Sequence, residues 1–172
     1  FLNGGREAAF DGEDREMIPS PREVATYDLA PQMNAAKVAR AVSTRLLTGK
    51  YALTVVNFAN PDMVGHTGVI PATIEAIEAV DQALGEVVSA AQKVGAAVAI
   101  TADHGNCEEM IAADGTPHTA HTLRPVPFIL IDDVRQGANL TEGALCNIAP
   151  TVLAVMGISK PDQMTASSLL AP

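Results

Sequence analysis

Ala96-Ala97-Val98-Ala99-Ile100-Thr101-Ala102-Asp103-His104-Gly105 is an apolar run that stops at a carboxylate, an imidazole and a glycine. Six small or β-branched residues are too few for a stable helix and read as a buried strand. Neighbouring strand residues point to opposite faces, so Asp103 and His104 can serve one site only where the strand has ended. Gly105 permits a sharp exit at that point.

Working outward, the segment before this strand has apolar residues at Ile74, Ile77, Val80, Leu84, Val87 and Val88. These steps of three and four mark an amphipathic helix from Pro71 to about Val94, with proline in its first turn and Gly95 as its stop. Glu75, Glu78, Asp81 and Glu86 form its solvated face. Further upstream, Tyr51–Phe58 (YALTVVNF) reads as a second buried strand, closed by the turn-forming Asn60-Pro61. Before it, Val38, Ala39, Val42 and Leu46 predict a helix from Asn34 to about Leu47 that Gly49 ends. Downstream, Val126–Ile131 is a third strand, and Asn147–Met156 is a helix stopped by Gly157. The first 30 residues read as extended loop with short strands, because Pro19 and Pro21 bias their neighbours away from helix. Strands separated by helices imply an α/β fold, a largely parallel sheet flanked by helices. Ligands of such sheets gather beyond the carboxyl ends of the strands.

Composition narrows the function classes. With 48% hydrophobic and 18% charged residues, the 172-residue chain is globular rather than disordered. A net charge of -9 argues against nucleic acid as a partner, and no Trp is present to stack bases. No run of about 18 apolar residues could cross a bilayer. Cys107 and Cys146 lack ligand-like spacing, which favours a cytoplasmic location over a disulfide-forming one. Phe1-Leu2-Asn3-Gly4-Gly5 reads as the end of a strand, so the expectation is a longer polypeptide cut at this point.

All four histidines fall in segments that follow or separate the predicted strands. Asp62 and His66 lie four residues apart just past the first strand, close enough on one helical face to share an ion. A capping aspartate beside an unrelated histidine is the competing reading. Asp103 and His104 follow the second strand and offer a hard and a borderline ligand, suited to manganese or zinc. His118 and His121 precede the third strand, and spacing does not choose between them as ligand. Three such stretches at strand ends point to a metal centre. Cys107 beside them reads as filler, Glu108 and Glu109 as first-turn carboxylates favoured by a helix dipole. Ser20, Ser43 and Thr48 have no neighbouring base to make them nucleophiles.

At these residues the chain resembles the cofactor-independent (2,3-bisphosphoglycerate-independent) phosphoglycerate mutases, a family of the alkaline phosphatase superfamily. The resemblance rests on FLNGGREAAFDGEDREMIPSP, VATYDLAPQMNA, VVNFANPDMVGHTG, TADHGNCEEM and PHTAHTLRPVPF, and extends through NIAPTVLAVMGI and MTASSLL. Ala166 departs from the glycine frequent in the last of these. The resemblance implies that residues 1–172 are the C-terminal part of a phosphatase-like, alkaline-phosphatase-like domain. The N-terminal part and an inserted transferase domain would lie elsewhere on the polypeptide. It further implies two manganese ions, one held by Asp62, His66 and His121, the other partly by Asp103 and His104. The implied reaction interconverts 3-phosphoglycerate and 2-phosphoglycerate through a phosphoserine, in glycolysis and gluconeogenesis. The nucleophilic serine and the substrate clamps have no match here, so this chain alone is expected to be inactive and to depend on the rest of its own polypeptide. Two other readings are a metal-dependent phosphatase, phosphodiesterase or phosphopentomutase of the same superfamily, and a non-catalytic metal-binding module.

Overall fold

The structure, a computed structural model, describes residues 5–171; of the strand end expected at residues 1–5, all but Gly5 lies outside them. Two helices set the frame. Helix α1 (Ala35–Leu46) turns Ala35, Ala39 and Ser43 inward. Helix α3 (Ile70–Lys93) buries Ala72, Thr73, Ala76, Ala83, Val87, Ala90 and Ala91. Small residues let the two axes approach closely, and Ala35, Ala39, Ala83 and Val87 form one core with Val42, Leu46 and Phe58 against it. The short helix α2 (Asn60–Gly65) packs beside them through Val64, which meets Ala72 and Ala76 in a second core.

Gly49 and Gly95 end α1 and α3 with φ of +62° and +67°, a conformation open to glycine without strain. Asn34 precedes α1 as expected but does not cap it; its amide donates instead to the Pro19 carbonyl at 2.6 Å. The apolar stripe expected to bury α3 divides in two. Val80, Leu84 and Val88 are half-buried, whereas Ile74 and Ile77 remain 54% and 41% exposed. The alanine side, not the isoleucine side, receives α1 and α2.

Strands β1 (Val98–Thr101) and β2 (Phe128–Ile131) fall where expected but pair antiparallel, Val98 opposite Ile131 and Thr101 opposite Phe128. This corrects the expectation of a largely parallel sheet within this chain. Parallel pairing needs a crossover, usually a helix. Residues 102–127 fold back on themselves instead, through bridges between Gly105 and Thr122 and between Ile111 and Pro117. Residues 51–58 are not paired into the described sheet, and Leu53 and Val55 stand 54% and 60% exposed. Nor do strands form in the described part of the first 30 residues, where a single 3-10 turn spans Tyr27–Leu29.

Helix α4 (Ile148–Val155) follows a 3-10 turn, and Gly157 stops it with φ of +70°. The chain end returns over it: Leu169 is buried, its N–H donating to the Thr151 hydroxyl at 2.8 Å. Among the described residues no helix is long and apolar enough to cross a membrane.

Candidate metal centre

Helix α2 is what brings Asp62 and His66 together. Pro61 starts the helix, Asp62 lies in its first turn, and His66 is its C-terminal cap. One turn separates the two side chains, and His66 Nε2 lies 3.1 Å from Asp62 Oδ1. The loop after β1 delivers His104 to the same oxygen at 3.9 Å, and the loop before β2 delivers His121 at 3.0 Å. The two histidine Nε2 atoms of residues 66 and 121 are 3.1 Å apart. His104 stacks on His121 with ring centroids at 3.7 Å. Asp62, His104 and His121 form a group whose donor atoms all lie within 4.8 Å of one another. The triangle of Asp62, His66 and His121 is tighter still.

The loops are registered by backbone contacts. Thr122 N–H donates to the Gly105 carbonyl at 2.9 Å, which pins the His121 loop to the residue after His104. Glycine is required at 105 because a Cβ there would collide with the Thr122 hydroxyl and the Glu108 carboxylate. Thr119 adds a second tie, its carbonyl lying 2.5 Å from His66 Nδ1. A carbonyl can only accept, so Nδ1 carries the proton and the Nε2 lone pair is turned toward Asp62 and His121. His104 follows the same logic, its Nδ1 facing the Gly105 carbonyl at 3.3 Å. Metal-bound histidines are typically oriented in this way by a carbonyl on the other nitrogen. His121 Nε2 faces Asp62 Oδ1 at 3.0 Å, where it either donates a hydrogen bond or, as the other tautomer, offers its lone pair to a cation shared with Asp62 and His66.

Asp62 is half-buried, which pushes its carboxyl pKa up; the Asn106 amide and the imidazoles of His66, His104 and His121 outweigh this and hold it below the usual carboxylate range. It is therefore an anion, and a ready ligand, at neutral pH. Glu108 accepts a hydrogen bond from the Thr122 hydroxyl, and its other oxygen takes the Asn106 N–H at 2.7 Å. The glutamate thus ties loops together, and no helix follows it for a dipole to act on.

Of the residues singled out from sequence, Asp62, His66, His104 and His121 meet at one point. Asp103 stands at its edge, Oδ1 3.6 Å from His104 Nε2 and its side chain 79% exposed. His118 turns elsewhere, donating Nδ1–H to the Glu109 carbonyl at 2.9 Å. It lines a shallow cleft of about 400 Å³ with Glu109, Thr122, Leu123 and Arg124. Cys107 is half-buried, and burial, with Glu108 and Asp62 nearby, pushes its thiol pKa up, so it stays protonated. Both cysteines are free thiols. Sequence reasoning missed Asn106 and the Thr119 carbonyl. No residue type marks a backbone carbonyl, and only the adjacency of Asn106 to Asp103-His104-Gly105 could have drawn attention to it.

A chain with this α/β frame and this gathering of carboxylates and imidazoles falls in the class of metal-dependent enzymes. The profile of the Metalloenzyme superfamily matches residues 1–160, and the chain belongs to that superfamily. Within it the similarity is specific. The 2,3-bisphosphoglycerate-independent phosphoglycerate mutase of Syntrophotalea carbinolica is 58% identical over the whole of this chain and 34% of its own length. That of Symbiobacterium thermophilum is 54% identical over 99% of this chain and 33% of its own. Among solved structures, the phosphoglycerate mutase of Leishmania mexicana, crystallised at low cobalt concentration, superposes with a TM-score of 0.86 at 30% identity. The alignment covers 98% of this chain and 34% of that one. The chain thus spans about a third of the length of the relatives it matches.

Proposed function

We propose that this chain is the metal-holding part of a phosphoglycerate mutase that interconverts 3-phosphoglycerate and 2-phosphoglycerate. It corresponds to the C-terminal portion of a phosphatase-like domain, with the N-terminal portion and the inserted transferase domain on the rest of the polypeptide. The observation that carries the reading is the donor triangle, Asp62 Oδ1, His66 Nε2 and His121 Nε2, with sides of 3.1, 3.0 and 3.1 Å. The mixed carboxylate and imidazole donors suit a divalent ion such as manganese. Asp103 and His104 would contribute to a second ion.

When bound, such ions lower the pKa of an attacking hydroxyl and stabilise charge on phosphoryl oxygens. The chain's own residues do the preparatory work. Asp62 supplies the negative charge, His66 and His121 supply lone pairs oriented by backbone carbonyl and loop register, and His104 stacks on His121 to hold its plane. The attacking serine, the phosphoserine it would become and the groups that clamp the phosphoglycerate belong to the remainder of the protein. The half-exposed face of the cluster is where those groups would meet it, and domain closure would exclude water there. The similarity to phosphoglycerate mutases supports a cytoplasmic location and a part in glycolysis and gluconeogenesis.

The test is calorimetric. The purified chain titrated with Mn²⁺ should bind saturably, His66→Ala should weaken that binding at least about tenfold, and the chain should not turn over 3-phosphoglycerate. In the full-length protein His66→Ala should abolish mutase activity. A chain that ignores Mn²⁺, or a full-length His66→Ala variant of unchanged activity, overturns the proposal.

A further inference from the structure

We infer that Asn106 is a positioning residue that aims one lone pair of Asp62 at the metal centre, a role that rests on the metal reading above. Asn106 is 4% exposed, yet it is polar and not a ligand candidate. Its Nδ2 donates to Asp62 Oδ1 at 2.8 Å and lies 3.4 Å from the Asp62 carbonyl. The opposite amide orientation would set Oδ1 against a carboxylate, so the orientation is determined. Its Oδ1 is then buried with no hydrogen-bond partner, an arrangement that a chain selected for stability alone would avoid.

Asn106 follows Asp103 and His104 directly and connects them to the other two candidate ligand stretches, through its amide to Asp62 and through Glu108 to Thr122. Gly65 lies between Asp62 and His66, and a Cβ there would sit 2.5 Å from Asn106 Oδ1. Gly65 lies in α2 and is not among the glycines with positive φ, so its missing side chain serves the approach of Asn106 rather than a backbone bend. From behind, the Asn106 N–H is held by Glu108, which also accepts the Thr122 hydroxyl next to His121. A carboxylate oxygen has two in-plane lone pairs. The amide takes one on Oδ1 and leaves the other directed between His66 and His121. Asp62 is thereby held as a ligand through that single oxygen.

Asn106→Ala, Gly65→Ala and the double variant separate this role from a structural one. Each chain is titrated with Mn²⁺ by calorimetry, and its melting is followed without metal in EDTA. Asn106→Ala should weaken Mn²⁺ binding by about 10- to 100-fold while the metal-free melting transition persists. Gly65→Ala should weaken it by about tenfold by displacing the amide, and should add nothing in the Asn106→Ala background. Binding by the unaltered chain that Asn106→Ala matches overturns the positioning role and leaves the metal centre standing. Losses that multiply in the double variant, or an Asn106→Ala chain with no metal-free transition, overturn it as well. No binding by the unaltered chain removes the centre and the role together.

Discussion

Replacing Arg135 by alanine should cost about 3 kcal/mol of stability, and the structure says why. Asp132 closes β2 with a side chain only 5% exposed, and Arg135 Nη1 lies 2.6 Å from its Oδ2. The other guanidinium nitrogen donates to the Val155 carbonyl at 2.9 Å, so one side chain ties the end of the sheet to the last turn of α4. Removing the arginine leaves this covered carboxylate with only backbone N–H donors such as that of Val134, and breaking a buried pair costs about 3–5 kcal/mol. Arg135 is 30% exposed, so water partly screens the pair and the lower end applies. For a chain of this length the melting temperature should fall by about 6–12 °C. Asp132→Asn keeps an acceptor for the Val134 N–H, now 2.9 Å away, and should cost only about 1–2 kcal/mol.

The pH dependence gives a second handle. Burial pushes the Asp132 carboxyl up, but the Arg135 guanidinium and the Val134 N–H outweigh it and hold the pKa below its ordinary value. A folded pKa below the unfolded one, about 3.9, means that the pair's contribution is fully present above that pH. It is lost as pH falls through the lower folded value. Thermal unfolding followed by circular dichroism at pH 7 should therefore show the full gap between the unaltered chain and Arg135→Ala, and the gap should close in acid. A loss under about 1 kcal/mol at pH 7, or a double-mutant coupling with Asp132→Asn under about 0.5 kcal/mol, would refute the reasoning.

Gly105→Ala should lower stability by about 2 kcal/mol, since its Cβ would force apart the Thr122 and Glu108 side chains and loosen the bond to the Asn106 N–H. Its Mn²⁺ affinity should fall with it, and an unchanged melting temperature would sink the account. His118→Ala should leave Mn²⁺ affinity within about twofold while costing about 1 kcal/mol for the lost bond to Glu109. A tenfold loss of affinity would return His118 to the ligand set.

Much of this arrangement was legible in the residues. Apolar steps of three and four located α1 and α3 to within a residue or two, and glycines at 49, 95 and 157 marked the helix ends. Strands β1 and β2 were equally clear. Periodicity reports which side chains are apolar, however, and not what covers them. It therefore could not tell that alanines would take the core side of α3 while Ile74 and Ile77 stayed out. Nor could it tell that residues 51–58 would lie unpaired in this chain. The antiparallel pairing was hidden in a segment with no period at all, where two isolated bridges replace a crossover helix. The candidate ligands stood out because the chain has only four histidines and all of them lie near predicted strand ends. Asn106 and the Thr119 carbonyl did not, because asparagine is common in loops and every residue has a carbonyl.

That division bears on how the centre is held. Its donors ride on α2 and on two loops, and the contacts that register them are local: Thr122 on Gly105, Thr119 on His66, Asn106 on Asp62. None of these passes through residues 51–58, where Leu53 and Val55 stand exposed. Helix α2 is anchored through Val64 against α3, and the Asn60 amide donates to the Pro31 and Gln32 carbonyls at 2.9 Å each. The donor cluster therefore depends on two helices and a folded-back loop rather than on a complete sheet. A cluster built this way can keep its geometry independently of any pairing of residues 51–58.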